Sequence, residues 1–342
     1  LLRGLDPRAP DNSLASGTAG LAVFFASLAE EFEDDQYAAA AHRFLAAAID
    51  GAQNNRRMIG LGLHRGLSGV SWAESCVCPS HRAQRDDLDE LLMELLARPW
   101  EGGWDLSTGL VGIGVYALAR SPSNAGLLAA VLGRLAEAAE ADGGWGGNGS
   151  TRIDLSLAQG LGSVVAFSAL AVRSGMAPAR PLLAEAAGRL LAYRLRTHEG
   201  DKPATAFLPD PHRGALAWCH GDLGVTASLV LAVPLLSHPE LGQALSRAVE
   251  AVAAPGHRVQ GLGLCHGAAG AAHVLGRLAV ATGSRAAREA AGHWAGMLLE
   301  AAGSGASAGG HGILEGAAGV GLALLGAASE RTPRWDRMLL LA

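Results

Sequence analysis

Two kinds of apolar pattern alternate along the chain. In Leu88–Leu96, Ala125–Ala139 and Ala184–Leu195 the apolar residues recur at steps of three and four, with Arg or Glu between them. That spacing predicts amphipathic helices with one face buried. Other stretches, such as LAVFFASLAE after Gly20 and VTASLVLAV after Gly224, are apolar nearly all round. These predict helices buried on every side. Each stretch of the second kind follows a Gly-x-x-Gly motif. The motifs are Gly17–Gly20, Gly66–Gly69, Gly109–Gly112, Gly221–Gly224, Gly267–Gly270 and Gly316–Gly319, with a varied copy, Gly160-Leu161-Gly162-Ser163. Their last residues lie 43 to 61 residues apart. This period accommodates two helices and two connections.

The repeat predicts an all-α protein: seven helical hairpins, inner and outer, closing into an α/α toroid over residues 1–342 as a single domain. Small residues at the start of each inner helix permit close approach of neighbouring backbone. If all seven inner helices start on one face, the residues just before each motif meet around one pocket. Gly143–Ser150 and Gly303–Gly312 read as loops, and Arg196–Leu208 as a polar insert that accounts for the longest spacing.

Charge and composition remove several functions. There are 27 basic and 32 acidic residues and no long basic run, so nucleic acid is not an expected partner. Apolar stretches such as Leu223–Leu236 are shorter than the roughly 20 residues a bilayer span needs, and that one holds Pro234. Leu1–Asp6 lacks the charged-then-apolar order of a signal peptide, and a cytoplasmic location is the expectation. In a reducing compartment the four cysteines act as packers, metal ligands or nucleophiles rather than disulfides.

The candidate chemistry stands just before the motifs. The fifth copy has Trp218-Cys219-His220 and the sixth Cys265-His266; the second has His64-Arg65, and the third has Asp105-Leu106-Ser107-Thr108. The fourth has Gln159 and the seventh Glu315. Two Cys-His-Gly tripeptides in consecutive repeats point to zinc, which favours thiolate and imidazole ligands; three protein ligands leave a fourth position open for chemistry. Cys219 and Cys265 supply the thiols, and His266 or His220 the imidazole. Cys76-x-Cys78 with His81 is a weaker candidate, because ligands one residue apart rarely close a tetrahedron. Trp104 and Trp145 lie in Gly-rich loops as pocket-rim or anchor residues, and His311 precedes the last motif.

These stretches, together with the closing Leu314-Glu315-Gly316-Ala317-Ala318-Gly319, resemble the lanthionine synthetase C-like (LanC-like) family over essentially the full chain. The resemblance implies an α/α toroid with a central zinc on Cys219, Cys265 and His266. It implies a cyclase that adds a peptide cysteine to dehydroalanine or dehydrobutyrine in a dehydrated lanthipeptide precursor, giving a thioether ring. A dehydratase is a natural partner. The chain departs from the family at two places. Where relatives carry His in a Leu-Ala-His-Gly motif this chain has Leu157-Ala158-Gln159-Gly160, and where many carry Arg it has Ala215, with Arg213 two residues earlier. The expected roles are therefore His220 and Asp105 in catalysis and Gln159 and His64 in substrate binding. The alternative is a peptide-binding scaffold without turnover. Protein prenyltransferase β-subunits share the toroid and zinc, but use six hairpins and an aromatic pocket, against 5% aromatics here. A glycosidase reading would rest on Asp105 and Glu315 and leave the Cys-His-Gly motifs idle.

Overall fold

The structure is a computed structural model that describes residues 5, 11–54, 60–79, 83–120, 124–140, 145, 154–196, 216–306 and 308–341. It is all-helical. Seven helices begin at the glycine motifs: α1 (Thr18–Phe32), α3 (Leu67–Val77), α5 (Leu110–Arg120), α7 (Leu161–Arg173), α9 (Asp222–Ala232), α11 (Ala268–Thr282) and α13 (Ala317–Ala328). Between them run α2 (Asp35–Asn54), α4 (Ala83–Leu96), α6 (Ala125–Glu140), α8 (Ala179–Arg196), α10 (Pro239–Ala253) and α12 (Arg285–Gly303). The amphipathic stretches of the sequence fall inside α4, α6 and α8.

Each motif helix packs on the next, from α1 to α3 and on to α13, and α13 packs back on α1. That closes the inner ring. The six intervening helices form the outer layer, each against the inner helix before it. Inner helices are buried on nearly every side, as in α5, where Leu110 to Ala117 are all buried. This is why their sequences carry no polar face. A buried network fastens α4 inward: Tyr116 Oη donates to Asp89 Oδ1 at 2.7 Å and Arg120 Nε to Asp89 Oδ2 at 3.0 Å.

The loops before the inner helices are joined main chain to main chain. The residue two places before each motif donates its amide to the same residue of the next copy. The bonds are Ala15 to His64 (2.9 Å), His64 to Ser107 (3.1 Å), Ala158 to Cys219 (3.1 Å), Cys219 to Cys265 (3.2 Å), Cys265 to Leu314 (2.8 Å) and Leu314 to Ala15 (3.0 Å). The link from Ser107 to Ala158 is absent among the described residues; the Ser107 amide donates to Asp105 Oδ1 instead, at 2.7 Å. The second motif glycine makes this ring compact. A Cβ there would lie 1.8–2.4 Å from the carbonyl oxygen six residues earlier in copies one, two, three, five, six and seven.

After α13 no outer α-helix follows among the described residues. The chain forms a 3-10 turn, Trp335–Leu339, whose end runs inward. Trp335, Asp336 and Met338 to Leu341 are buried.

Candidate metal centre

The loops before α9 and α11 are neighbours in the ring, and this places Cys219 beside Cys265 and His266. One donor atom from each of the three lies within 4.8 Å of the others. Cys219 Sγ is 4.0 Å from His266 Nδ1. Tetrahedral zinc holds its sulfur and nitrogen ligands about 3.6 Å apart, so a small contraction would let the three hold one ion. Cys219 is buried, whereas Cys265 and His266 are partly exposed, so the group is open on one side. Two thiols and an imidazole favour zinc over hard cations.

The electrostatics suit a ligand pair. The Cys265 thiol donates to Cys219 sulfur and holds the Cys219 thiol down at about 6, against its burial; the nearby His220 and His266 imidazoles assist. Cys265 is pushed up, because it is the partner that keeps the shared proton, and burial adds to the effect. Glu315 also raises it. Beside the group lies a cavity of about 130 Å³ lined by Gln260, His266, Leu314 and Glu315 among others.

The other expected residues separate by depth. Those one place before each motif face outward: Ser16, Arg65, Thr108, Gln159 and Glu315 are exposed, and His220 and His266 half-exposed. Gln159 and His220 therefore stand on the accessible rim with His266. His64 does not: it shares the register of Cys219 and Cys265, but is only 2% exposed. Its Nε2 bonds to the Met338 carbonyl oxygen and its Nδ1 to Ser107 Oγ, both at 3.1 Å. A carbonyl only accepts, so Nε2 carries the proton and Nδ1 accepts from the serine. Sequence order gives no sign of this, because the covering residues come from the C-terminal turn. Asp105 is engaged in its own loop, accepting from the Ser107 and Thr108 amides and from Thr108 Oγ1. Trp145 is a buried anchor whose indole donates to Leu135 O. Trp104 is half-buried and His311 exposed. Cys76 and Cys78 end α3, whereas His81, Arg213 and Ala215 lie outside the described residues.

Burial is the main reason the His64 imidazole is pushed down to about 4. The unfolded chain takes up a proton at this residue below pH 6.5 and the folded one only near pH 4. Stability is therefore unaffected above that window and falls through it as the pH drops, by about 3 kcal/mol at pH 4. Denaturant unfolding of metal-free protein between pH 7 and 4 measures this. His64→Gln should be less stable at pH 7 but flatter with pH; an equal slope in both proteins would assign the effect to other groups.

The fold and site together define an α/α toroid with a Cys2His group at the N-terminal ends of its inner helices. The chain belongs to the LanC-like family: the model for lanthionine synthetase C-like proteins matches residues 9–340. Among solved structures it is similar to nisin cyclase, with a TM-score of 0.77 over 97% of this chain and 92% of that one, at 15% identity. That likeness is one of fold. No curated protein sequence matches the chain. No helix among the described residues is long and apolar enough to cross a membrane.

Proposed function

We propose that the chain is a zinc-dependent, lanthionine-forming cyclase acting on dehydrated precursor peptides, the product of a dehydratase. The observation that carries this reading is the convergence of Cys219, Cys265 and His266 from two consecutive repeats of a LanC-like toroid. In the reaction the peptide thiol loses its proton, its sulfur bonds to the β-carbon of dehydroalanine or dehydrobutyrine, and a proton is returned to the α-carbon. Zinc, when bound, supplies a site at which a peptide thiol, ordinarily near pKa 8.5, is ionised at neutral pH.

The remaining work falls to side chains of the rim. His220 follows Cys219 directly and is half-exposed, which supports giving it the transfer of a proton to the α-carbon. Gln159 offers an amide that binds substrate carbonyls but exchanges no proton near neutral pH. Asp105 acts indirectly: it holds the Ser107 amide, and Ser107 Oγ in turn meets His64. His64 is then a support beneath the site rather than a substrate contact.

Gln159 also favours a second reading, a toroid that binds modified peptide without turning it over. Ring closure leaves mass unchanged, so the test counts free thiols by alkylation and mass spectrometry after incubation with a dehydrated peptide. The wild type is expected to lower the count. Gln159→His, which restores a proton-exchanging group, is expected to raise the rate at least about tenfold. Closure by the variant alone would favour the binding-partner reading, and closure by neither zinc-loaded protein would exclude the cyclase.

A further inference from the structure

Three residues before each motif the chain carries Leu14, Leu63, Leu106, Leu157, Trp218, Leu264 and Ile313. All are buried, none above 1% exposed. Six are aliphatic. The exception stands in the copy that carries Cys219. An aliphatic side chain fills this position by volume alone, whereas a buried indole also brings an N–H that needs an acceptor. Trp218 Nε1 donates to Leu339 O at 3.0 Å. The same ring meets His64 edge-on, centroids 5.8 Å apart. Two consecutive carbonyls of the C-terminal turn, Met338 and Leu339, therefore hold His64 from the second copy and Trp218 from the fifth.

The turn is fixed from a third direction. Asp336 is fully buried, with Oδ2 3.2 Å from His273 Nε2 and 3.2 Å from Arg277 Nε, both on α11. Trp335 lies against His273, ring centroids 4.4 Å apart. The main chain at the metal loop is tied to its neighbours in the ring. The amides of Trp218 and Cys219 share one acceptor, the Cys265 carbonyl, at 3.0 and 3.2 Å. A carbonyl oxygen has two lone pairs and can take both donors, but both bonds run to the same neighbouring loop, and neither ties this stretch to the C-terminal turn. The indole bond supplies that tie, one residue from Cys219.

We infer that Trp218 is a positioning residue for the metal centre and that the C-terminal turn is the fixed point it works from. This rests on the reading of Cys219, Cys265 and His266 as metal ligands. Supports behind metal ligands set affinity and ligand geometry, commonly by 10- to 100-fold. The turn carries out this task across the ring, from residues more than 100 positions away in sequence.

Cobalt(II) reports ligand geometry in its visible absorption, and it tests the inference without any turnover. The proteins are wild type, Trp218→Phe, which keeps a ring beside His64 but no N–H, and Asp336→Ala, which loosens the turn without touching a metal-bearing loop. Wild type is expected to show thiolate-to-cobalt charge transfer. Trp218→Phe should shift and weaken the visible bands and lose about tenfold in cobalt affinity by chelator competition. Asp336→Ala should move the spectrum the same way. Should Trp218→Phe fail to fold, Asp336→Ala decides alone. Wild-type spectra and affinities in the folded variants would overturn the inference and leave the metal centre standing. No thiolate band in the wild type itself would overturn the metal reading and the inference with it.

Discussion

About one zinc per chain is expected in the purified wild type, and none in Cys219→Ala, Cys265→Ala or His266→Ala. The three donors are the whole of the group that the ring assembles at this point among the described residues. Removing one leaves two protein ligands, too few to hold the ion against a chelator. His220→Ala should retain its metal, because His220 is not in that group, and should lose turnover instead. Metal analysis of the four variants beside far-UV circular dichroism makes the measurement. Zinc retained by both cysteine variants would place any metal elsewhere and remove the basis for the cyclase. The pH dependence has a definite sign. The metal-free site keeps the Cys265 proton through neutral pH while Cys219 ionises at about 6. Loading at pH 7 therefore releases a proton, and affinity falls as the pH drops.

The ring was legible because its signal is repeated. Seven glycine motifs in one register require seven equivalent inner helix starts, and the two Cys-His-Gly tripeptides then meet at adjacent positions. Depth within the loops was not legible. Cys265 and His266 are consecutive and both reach the group, whereas His64 and Arg65, at the same two positions, divide into a buried support and an exposed rim residue. No periodicity governs a loop, and what buries His64 is a contact with Met338, 274 residues later. The C-terminal turn is hidden for the same reason: after Pro333, Trp335–Leu341 is too short to carry a helical pattern, and its acceptors are main-chain carbonyls that no side chain announces. Trp218 did stand in plain sight as the one aromatic among seven equivalent positions, but that register becomes visible only when the copies are aligned on their glycines.

Gly69→Ala should be among the most damaging single substitutions in the chain. Its Cβ would lie 1.8 Å from the Leu63 carbonyl oxygen, and the obstacle is backbone, which cannot rotate away. The displaced segment leads into His64, whose amide and carbonyl are two links of the ring. A loss of about 3–5 kcal/mol is expected, lowering the melting temperature of a chain this long by roughly 4–7 °C. Gly133→Ala is the control. It lies exposed in α6 with nothing within 4 Å of its added carbon, and the change should stabilise by about 0.5–1 kcal/mol. The chain already carries a counterpart to the damaging change. The fourth copy has Ser163 where the others have their second glycine, and its hydroxyl bonds back to Gly160 O at 2.8 Å. The one link missing among the described residues is the one that would end on this copy's Ala158 carbonyl. A side chain at that position is thus accommodated where the ring is open, whereas at Gly69 both neighbouring links are closed. Equal melting temperatures for Gly69→Ala and wild type would show that the ring bonds yield at little cost, and would remove close approach as the reason for the repeated glycines.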